Sequence, residues 1–200
     1  MMPNQTRSLA KGCRLTLLCS ALLLLAGCGD VITKSTMNAP VAPSSFNSML
    51  QAKAIAAAKQ KQAKGVRVWC VPFARTASGV DLKGNAGTWW KAAAGVYDRG
   101  PSPEAGAVMV FAPSNQSRLG HVAVVSEVVS DRMILIDHAN WHRNKISLKM
   151  PVIDVSAKGD WSKVRVEGTP GVLGSVYPVH GFVYPAAATR DTLAAADPQG

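Results

Sequence analysis

The spacing of apolar positions changes once along the chain, near residue 106. Before it, short apolar stretches end at Gly or Pro, as helices do; after it come apolar runs typical of strands. The strands are predicted at 107–111, 121–129, 133–140, 146–155, 164–167 and 180–184. A tight turn at 130–132 makes the second and third a hairpin. Helices followed by antiparallel strands indicate an α+β domain, with N-terminal helices packed on an antiparallel β-sheet.

Three helices are predicted in the first half of the domain. The first is a basic, Ala-rich helix over 48–65, with a thin apolar stripe. The second begins at Cys70, because Pro72 is tolerated only in a first turn, and Gly79 is placed to stop it. The third is short, is capped by Asn85 and ends at Gly95.

Cys70 is the first candidate for chemistry. At a helix N-terminus, unpaired N–H groups and the helix dipole favour an anion, which predicts a lowered thiol pKa and a nucleophilic sulfur. A buried structural cysteine is the alternative.

The other cysteines belong to the N-terminal region. Residues 1–27 have three basic residues, then a 12-residue apolar run that is too short to span a bilayer. The run ends in Leu25-Ala26-Gly27-Cys28, which resembles the lipobox of bacterial lipoproteins. That resemblance implies a signal peptide over 1–27, lipid on Cys28, and a lipid-anchored protein of the bacterial cell envelope that faces the periplasm or the exterior. Cys70 is then the only free thiol of the mature chain, because Cys13 and Cys19 leave with the signal peptide.

Composition divides the remaining chain and limits its partners. A flexible tether is expected over 28–47 and a disordered tail over 186–200. Without residues 1–27, 19 Lys and Arg oppose 12 Asp and Glu, a formal charge of +7. The basic stretch 34–67 carries no acid, so it either contacts anionic headgroups or wall polymers or forms a solvated face. Since no nucleic-acid motif accompanies the positive charge, no nucleic-acid partner is expected. The protein is expected to be a monomer.

A thiol nucleophile needs a base, and the base needs an orienting group. His121 opens an apolar strand directly after Gly120, at the rim of the predicted sheet. In the returning strand His138 and Asn140 share one face and Asp137 the other, because side chains alternate. We therefore expect His138 and Asn140 to orient His121, with Asp137 as the reserve.

The order of these residues resembles the CHAP family, the cysteine, histidine-dependent amidohydrolases/peptidases. The resemblance runs from about 66 to 165 and rests on the Cys-Val-Pro-Phe-Ala-Arg helix start, the 85–90 segment, and Gly120-His121-Val122, with 51 residues from Cys70 to His121. Two positions depart from the family. Trp69 stands where a Gln often precedes the nucleophile, and His138 stands where a Glu often precedes Asn by two residues.

The resemblance implies a papain-like CHAP fold over 66–185 and a cysteine hydrolase of peptidoglycan amide bonds, either an N-acetylmuramoyl-L-alanine amidase or a peptide endopeptidase. Cys70 would attack, His121 would act as base, and backbone N–H groups would hold the oxyanion, without metal or cofactor. Trp69 and Trp90 are candidate substrate-binding residues, although core packing is preferred for at least one tryptophan of the 89–90 pair. A zinc site built from His121, His138 and His142 is disfavoured, because an i,i+4 histidine pair needs a helix. The other hypothesis is a catalytically weak or inactive envelope-binding lipoprotein module.

Overall fold

The computed structural model describes residues 48–186. The predicted signal peptide, Cys28, the tether and all but the first residue of the predicted tail lie outside the described residues. Helices occupy the first part, namely α1 Ser48–Ala63, α2 Cys70–Ser78, a 3-10 helix at Ala86–Thr88 and α3 Trp89–Ala92. Seven strands follow, namely β1 Arg99–Gly100, β2 Val108–Phe111, β3 His121–Ser130, β4 Met133–Ala139, β5 Ile146–Asp154, β6 Lys163–Thr169 and β7 Val172–Val183. The α+β class and the antiparallel pairing are therefore confirmed.

The strands close on themselves, which the sequence did not predict. They are hydrogen-bonded in the order β1-β7-β2-β3-β4-β5-β6, and β6 pairs again with β7, so β2 to β7 form a six-stranded antiparallel barrel. The last strand was predicted only from residue 180, but β7 begins at Val172 and reaches both neighbours. Strand β1 is not among the predicted strands, and it adds two residues beside β7.

Alternation along the strands divides the apolar residues into two cores. Inward-facing side chains from all six barrel strands fill the barrel, among them Phe111, Val125, Ile136 and Phe182. The opposite faces of β2 and β3 pack against the helices, with Val110 and Val124 beside helix residues. The helices therefore cover one side of the barrel, and the start of β3 lies where the two layers meet.

The sequence predicted the end of α2 correctly, but not the cap and end of the short third helix. Gly79 stops α2 in a left-handed conformation (φ 76°), as predicted, and its N–H donates to the Arg75 carbonyl. Helix α1 packs on α2 through the small buried residues Ala54 and Ala58. Asn85 occupies the N-cap position of the 3-10 helix without a side-chain capping bond. The third helix ends at Ala92 rather than at Gly95.

No helix within residues 48–186 is both long enough and apolar enough to cross a membrane.

Candidate active site

Cys70 and His121 line the same open cleft, of about 550 Å³. Cys70 is the first residue of α2, and His121 is the first residue of β3. The cleft is lined by Trp69, Cys70, Val71, Pro72, Gly84, Asn85, Ala86, Ser117, Arg118, Leu119, Gly120, His121 and Asn140. Two elements 51 residues apart in sequence thus contribute a thiol and an imidazole to one surface.

Two glycines allow these elements to approach closely. Gly120 adopts φ +69°, and a Cβ there would lie 2.7 Å from both Cα and N of Gly87. The Gly87 N–H donates to the Leu119 carbonyl at 2.8 Å. These contacts join the 3-10 helix to the two residues before His121, so they fix one wall of the cleft relative to β3.

The Cys70 thiol lies beside β3, but its acidity differs from the sequence-based prediction. Burial is the largest effect and raises the pKa of the Cys70 thiol, while N–H groups of Val122, Val71 and Cys70 itself oppose that rise. The prediction of a lowered pKa at the helix N-terminus was therefore wrong, because desolvation of the sulfur outweighs those N–H groups. No side-chain hydrogen bond joins Cys70 to His121 among the bonds of residues 48–186.

His121 is almost fully covered, with 6% of its surface exposed. Its ring lies edge-on to Phe111 and Trp141, with centroid distances of 5.7 and 5.0 Å. Burial lowers the pKa of His121 to about 3, so the imidazole is neutral at physiological pH. Burial therefore disfavours the charged form of both the thiol and the imidazole in the free site.

His138 contacts the far side of the His121 ring. Its Nδ1 lies 2.9 Å from Nε2 of His121, and its own Nε2 lies 3.2 Å from Sδ of Met150. His138 is fully buried, and burial, followed by the charges of His121 and His142, holds the pKa of His138 well below its usual range. The structure thus places a second neutral imidazole where the sequence predicted an orienting group.

Asn140 and Asp137 have other partners. Asn140 adopts φ 64° just after β4, and its Oδ1 accepts hydrogen bonds from Arg67 Nε (3.1 Å) and the Asn144 N–H (2.9 Å). Asn140 therefore lines the cleft without a hydrogen bond to His121. Asp137 points to the helix side, as the alternation predicted, where it accepts bonds from Gln51 Nε2 and the Lys149 N–H. Burial raises the pKa of that carboxyl group.

The two candidate tryptophans lie in different places. Trp69 lines the cleft with 48% of its surface exposed, and the Arg67 guanidinium stacks on its ring at 4.1 Å. Trp90 is outside the cleft lining, because it packs against β7, with its ring stacked on His180 at 6.3 Å. The structure thus brings Trp69, but not Trp90, to the site.

Sequence reasoning did not single out Asn144. Its Oδ1 accepts the Val68 N–H at 3.0 Å, and its carbonyl accepts a bond from Gln62 of α1. Asn144 thereby fixes the segment that leads into Cys70. Asn144 has a left-handed conformation (φ 58°), which Asn adopts more readily than most residues. The residue type at this position is therefore the only feature of the sequence that indicates its role.

Within residues 48–186, no three His, Cys, Asp or Glu side chains are grouped so that they could hold a metal ion. His142 has no part in such a group.

Fold and cleft together define an α+β domain with a cysteine and a histidine at the junction of a helix layer and a barrel. A family model described as the CHAP domain matches residues 61–140, which include Cys70, His121, His138 and Asn140. The match supports the CHAP family for this part of the chain, and CHAP domains are generally amidases or peptidases with peptidoglycan-related substrates. No curated protein matches the chain.

Proposed function

We propose that this protein is a cell-envelope cysteine hydrolase that cleaves an amide bond of peptidoglycan, in a papain-like arrangement of helices and barrel. The observation that carries the proposal is the shared cleft, in which Cys70 starts a helix and His121 starts a strand. The bond is either the N-acetylmuramoyl-L-alanine amide or a peptide bond of the stem or cross-bridge. The CHAP match supports a hydrolase of this class.

His121 is the proposed base, and its geometry supports acceptance of a proton at Nδ1. Its Nε2 is already occupied by His138, which leaves Nδ1 as the ring nitrogen available to the thiol. The imidazole is neutral at physiological pH, as a base must be before it accepts a proton. His138 serves as the positioning residue that holds the His121 ring.

The reaction then follows acyl transfer in two halves. Sγ of Cys70 attacks the amide carbonyl carbon while its proton passes to Nδ1 of His121, and the carbonyl oxygen takes the electron pair. Backbone N–H groups at the start of α2, including that of Cys70, stabilise this oxyanion. The C–N bond breaks as His121 protonates the leaving amine. Water, deprotonated by His121, then cleaves the thioester and restores the thiol.

The neutral thiol fits this scheme if deprotonation accompanies attack. In the free protein the raised thiol pKa leaves little thiolate, so His121 must take the proton during the reaction. Cys70 and His121 therefore act as a general-base pair rather than as a preformed ion pair.

One observation favours the second candidate, an inactive or weak envelope-binding module. The thiol and imidazole are both neutral, and no hydrogen bond connects them within the described part of the chain. Such a module would use the cleft to hold a wall fragment without cleaving it.

The deciding experiment is mass spectrometry of purified peptidoglycan after incubation with the soluble domain, compared with Cys70→Ala. Products that depend on Cys70 establish the hydrolase, and their masses identify the bond. Binding of wall fragments without products from any wall type would leave the second candidate.

The cellular location of the protein is part of the proposal. Cys28 carries lipid, so the domain is anchored to a membrane of the bacterial envelope through the 28–47 tether. Metabolic labelling with a fatty-acid analogue should label the protein and fail with Cys28→Ala.

A further inference from the structure

Arg67 is an exposed residue that contacts two residues of the cleft lining. Its Cζ lies over the Trp69 ring, 4.1 Å from the ring centroid, and its Nε donates to Oδ1 of Asn140 at 3.1 Å. Both contacting residues line the cleft. Stacking and the Nε bond remove much of the rotational freedom of the side chain, so the entropy cost of engaging a ligand is reduced.

The remaining donors of this guanidinium are available. Within residues 48–186, no hydrogen bond or ion pair uses the two Nη groups of Arg67. Two Nη groups in one plane match the two oxygens of a carboxylate, and such bidentate pairs are among the stronger hydrogen bonds in proteins.

The charged residue that lines the cleft is also positive. Arg118 lines it on the wall that carries His121, and none of the lining residues is Asp or Glu. Among the acidic residues within 48–186, Asp81 lies nearest in sequence to the part of α2 that lines the cleft. Asp81 is paired with Arg75, and neither residue lines the cleft. Among residues 48–186, an anionic group entering the cleft would therefore meet Arg118 and no acidic lining residue.

We propose that the cleft selects acidic peptide substrates, and that Arg67 binds a free carboxylate of the substrate close to the scissile amide. This inference rests on the proposed hydrolase function, and it names the chemical class that the enzyme distinguishes. A substrate in which that carboxylate is replaced by a carboxamide loses the charge and one of the two acceptor oxygens, so it binds Arg67 poorly.

The test compares two synthetic stem-peptide fragments that differ only in having a free carboxylate or a carboxamide at the same position. Arg67→Gln should lower kcat/KM for the acid by roughly ten- to hundredfold and change the amide by less than about threefold. Arg67→Lys, which keeps the charge without the planar fork, should fall between. Arg99→Gln is the matched control, because Arg99 also stacks on a tryptophan, Trp90 at 4.6 Å, outside the cleft lining.

Equal losses on both fragments, or no loss on either, would overturn the carboxylate assignment. A separate arm measures binding of the two fragments to Cys70→Ala by calorimetry, which requires no turnover. If wild-type protein cleaves neither fragment but Cys70→Ala prefers the acid through Arg67, the hydrolase proposal fails and the carboxylate assignment stands. If both fragments are cleaved and bound alike, only the carboxylate assignment fails.

A different observation, the hydrogen-bond chain behind His121, carries a second inference. Met150 Sδ can accept a hydrogen bond but has no proton to donate, so the 3.2 Å contact requires the proton on Nε2 of His138. A neutral His138 then has an acceptor lone pair on Nδ1, and His121 must donate its Nε2–H across the 2.9 Å contact. The neutral His121 is left with an unprotonated Nδ1.

We infer that Met150 is a positioning residue that fixes the tautomers of both histidines and keeps Nδ1 of His121 ready to accept a proton. The thioether ends a neutral chain in which no carboxylate takes part. This inference deepens the proposed function, but the tautomers themselves can be measured without any substrate.

Nitrogen-15 NMR of the imidazoles should show the Nε2–H tautomer for both histidines in wild-type protein. Met150→Leu conserves volume but removes the acceptor, so it should mix the tautomers and lower kcat about three- to tenfold with little change in KM. Met150→Gln, whose amide oxygen accepts a hydrogen bond, should restore the tautomer. Met133→Leu in β4 is the control. Unmixed tautomers in Met150→Leu would overturn the inference, even if the rate fell.

Discussion

Replacing Gly120 with alanine tests the close contact that builds one wall of the cleft. The new Cβ would lie 2.7 Å from Cα and N of Gly87 and 2.8 Å from the Phe111 carbonyl oxygen. All three are backbone atoms, so no side-chain rotation relieves the overlap. At φ +69° alanine also costs about 1–2 kcal/mol because of its left-handed conformation.

Overpacking of this kind typically adds about 1–3 kcal/mol, so we expect a total near 3 kcal/mol. For a domain of this size, that corresponds to a fall in Tm of roughly 6–12 °C. Gly65→Ala is a matched control, because Gly65 has the same φ of +69° but nothing within 4 Å of the new Cβ. The control should show the conformational cost alone.

Calorimetric or circular-dichroism melting of both variants measures the difference, and activity measured well below Tm reports on the cleft. Relief of the overlap moves the 3-10 helix away from β3, so Gly120→Ala should also lower kcat/KM, whereas Gly65→Ala should not. Equal destabilisation by the two substitutions would show that Gly87 and Gly120 do not meet as described.

Three further predictions concern the titrating groups. Because burial raises the pKa of the Cys70 thiol, alkylation by iodoacetamide should be slow at neutral pH and accelerate as pH rises; a fast, pH-independent rate would contradict the neutral pair. His138→Leu leaves the buried Nε2 of His121 unpaired. It should therefore reduce kcat roughly ten- to hundredfold in turnover assays and destabilise the fold by about 1–3 kcal/mol in urea unfolding. An unchanged kcat would exclude His138 as the positioning residue. The pKa of His121 is about 3 when folded and near 6.5 when unfolded, so the unfolded state takes up the proton first. The stability that His121 contributes is complete above pH 6.5 and should be lost as pH falls towards 3, by about 1.4 kcal/mol per pH unit. Because His138 also has a lowered pKa, His121→Phe should reduce the slope of the urea-unfolding profile in this range without abolishing it, and an unaltered slope would contradict the assigned burial.

Local features were predictable where a few neighbouring residues decide them. Pro72 and Gly79 bound α2 correctly, because one is restricted to a first turn and the other accepts a left-handed conformation. Alternation in β4 separated Asp137 from His138, and the structure places the two on opposite faces. Such signals depend on backbone geometry within one element, so the sequence carries them directly.

Features that depend on distant partners were not predictable. The thiol pKa of Cys70 follows from how deeply the fold buries the sulfur, and no local pattern reports that burial. Asn144 acts on Val68, 76 residues earlier, and Trp90 packs against β7 because Gly181 leaves room for its ring. Barrel closure likewise depends on β7 meeting β2 and β6 simultaneously.

Closure of the barrel has a consequence for copies crowded on one surface. Each strand from β2 to β7 has a hydrogen-bonded neighbour on both sides, and within residues 48–186 only the two-residue β1 lies at an end of the sheet. Unpaired strand edges are the usual templates for aggregation between neighbouring molecules. If the domain is held at high local density by an N-terminal anchor, the ring therefore offers adjacent copies little free backbone for β-pairing.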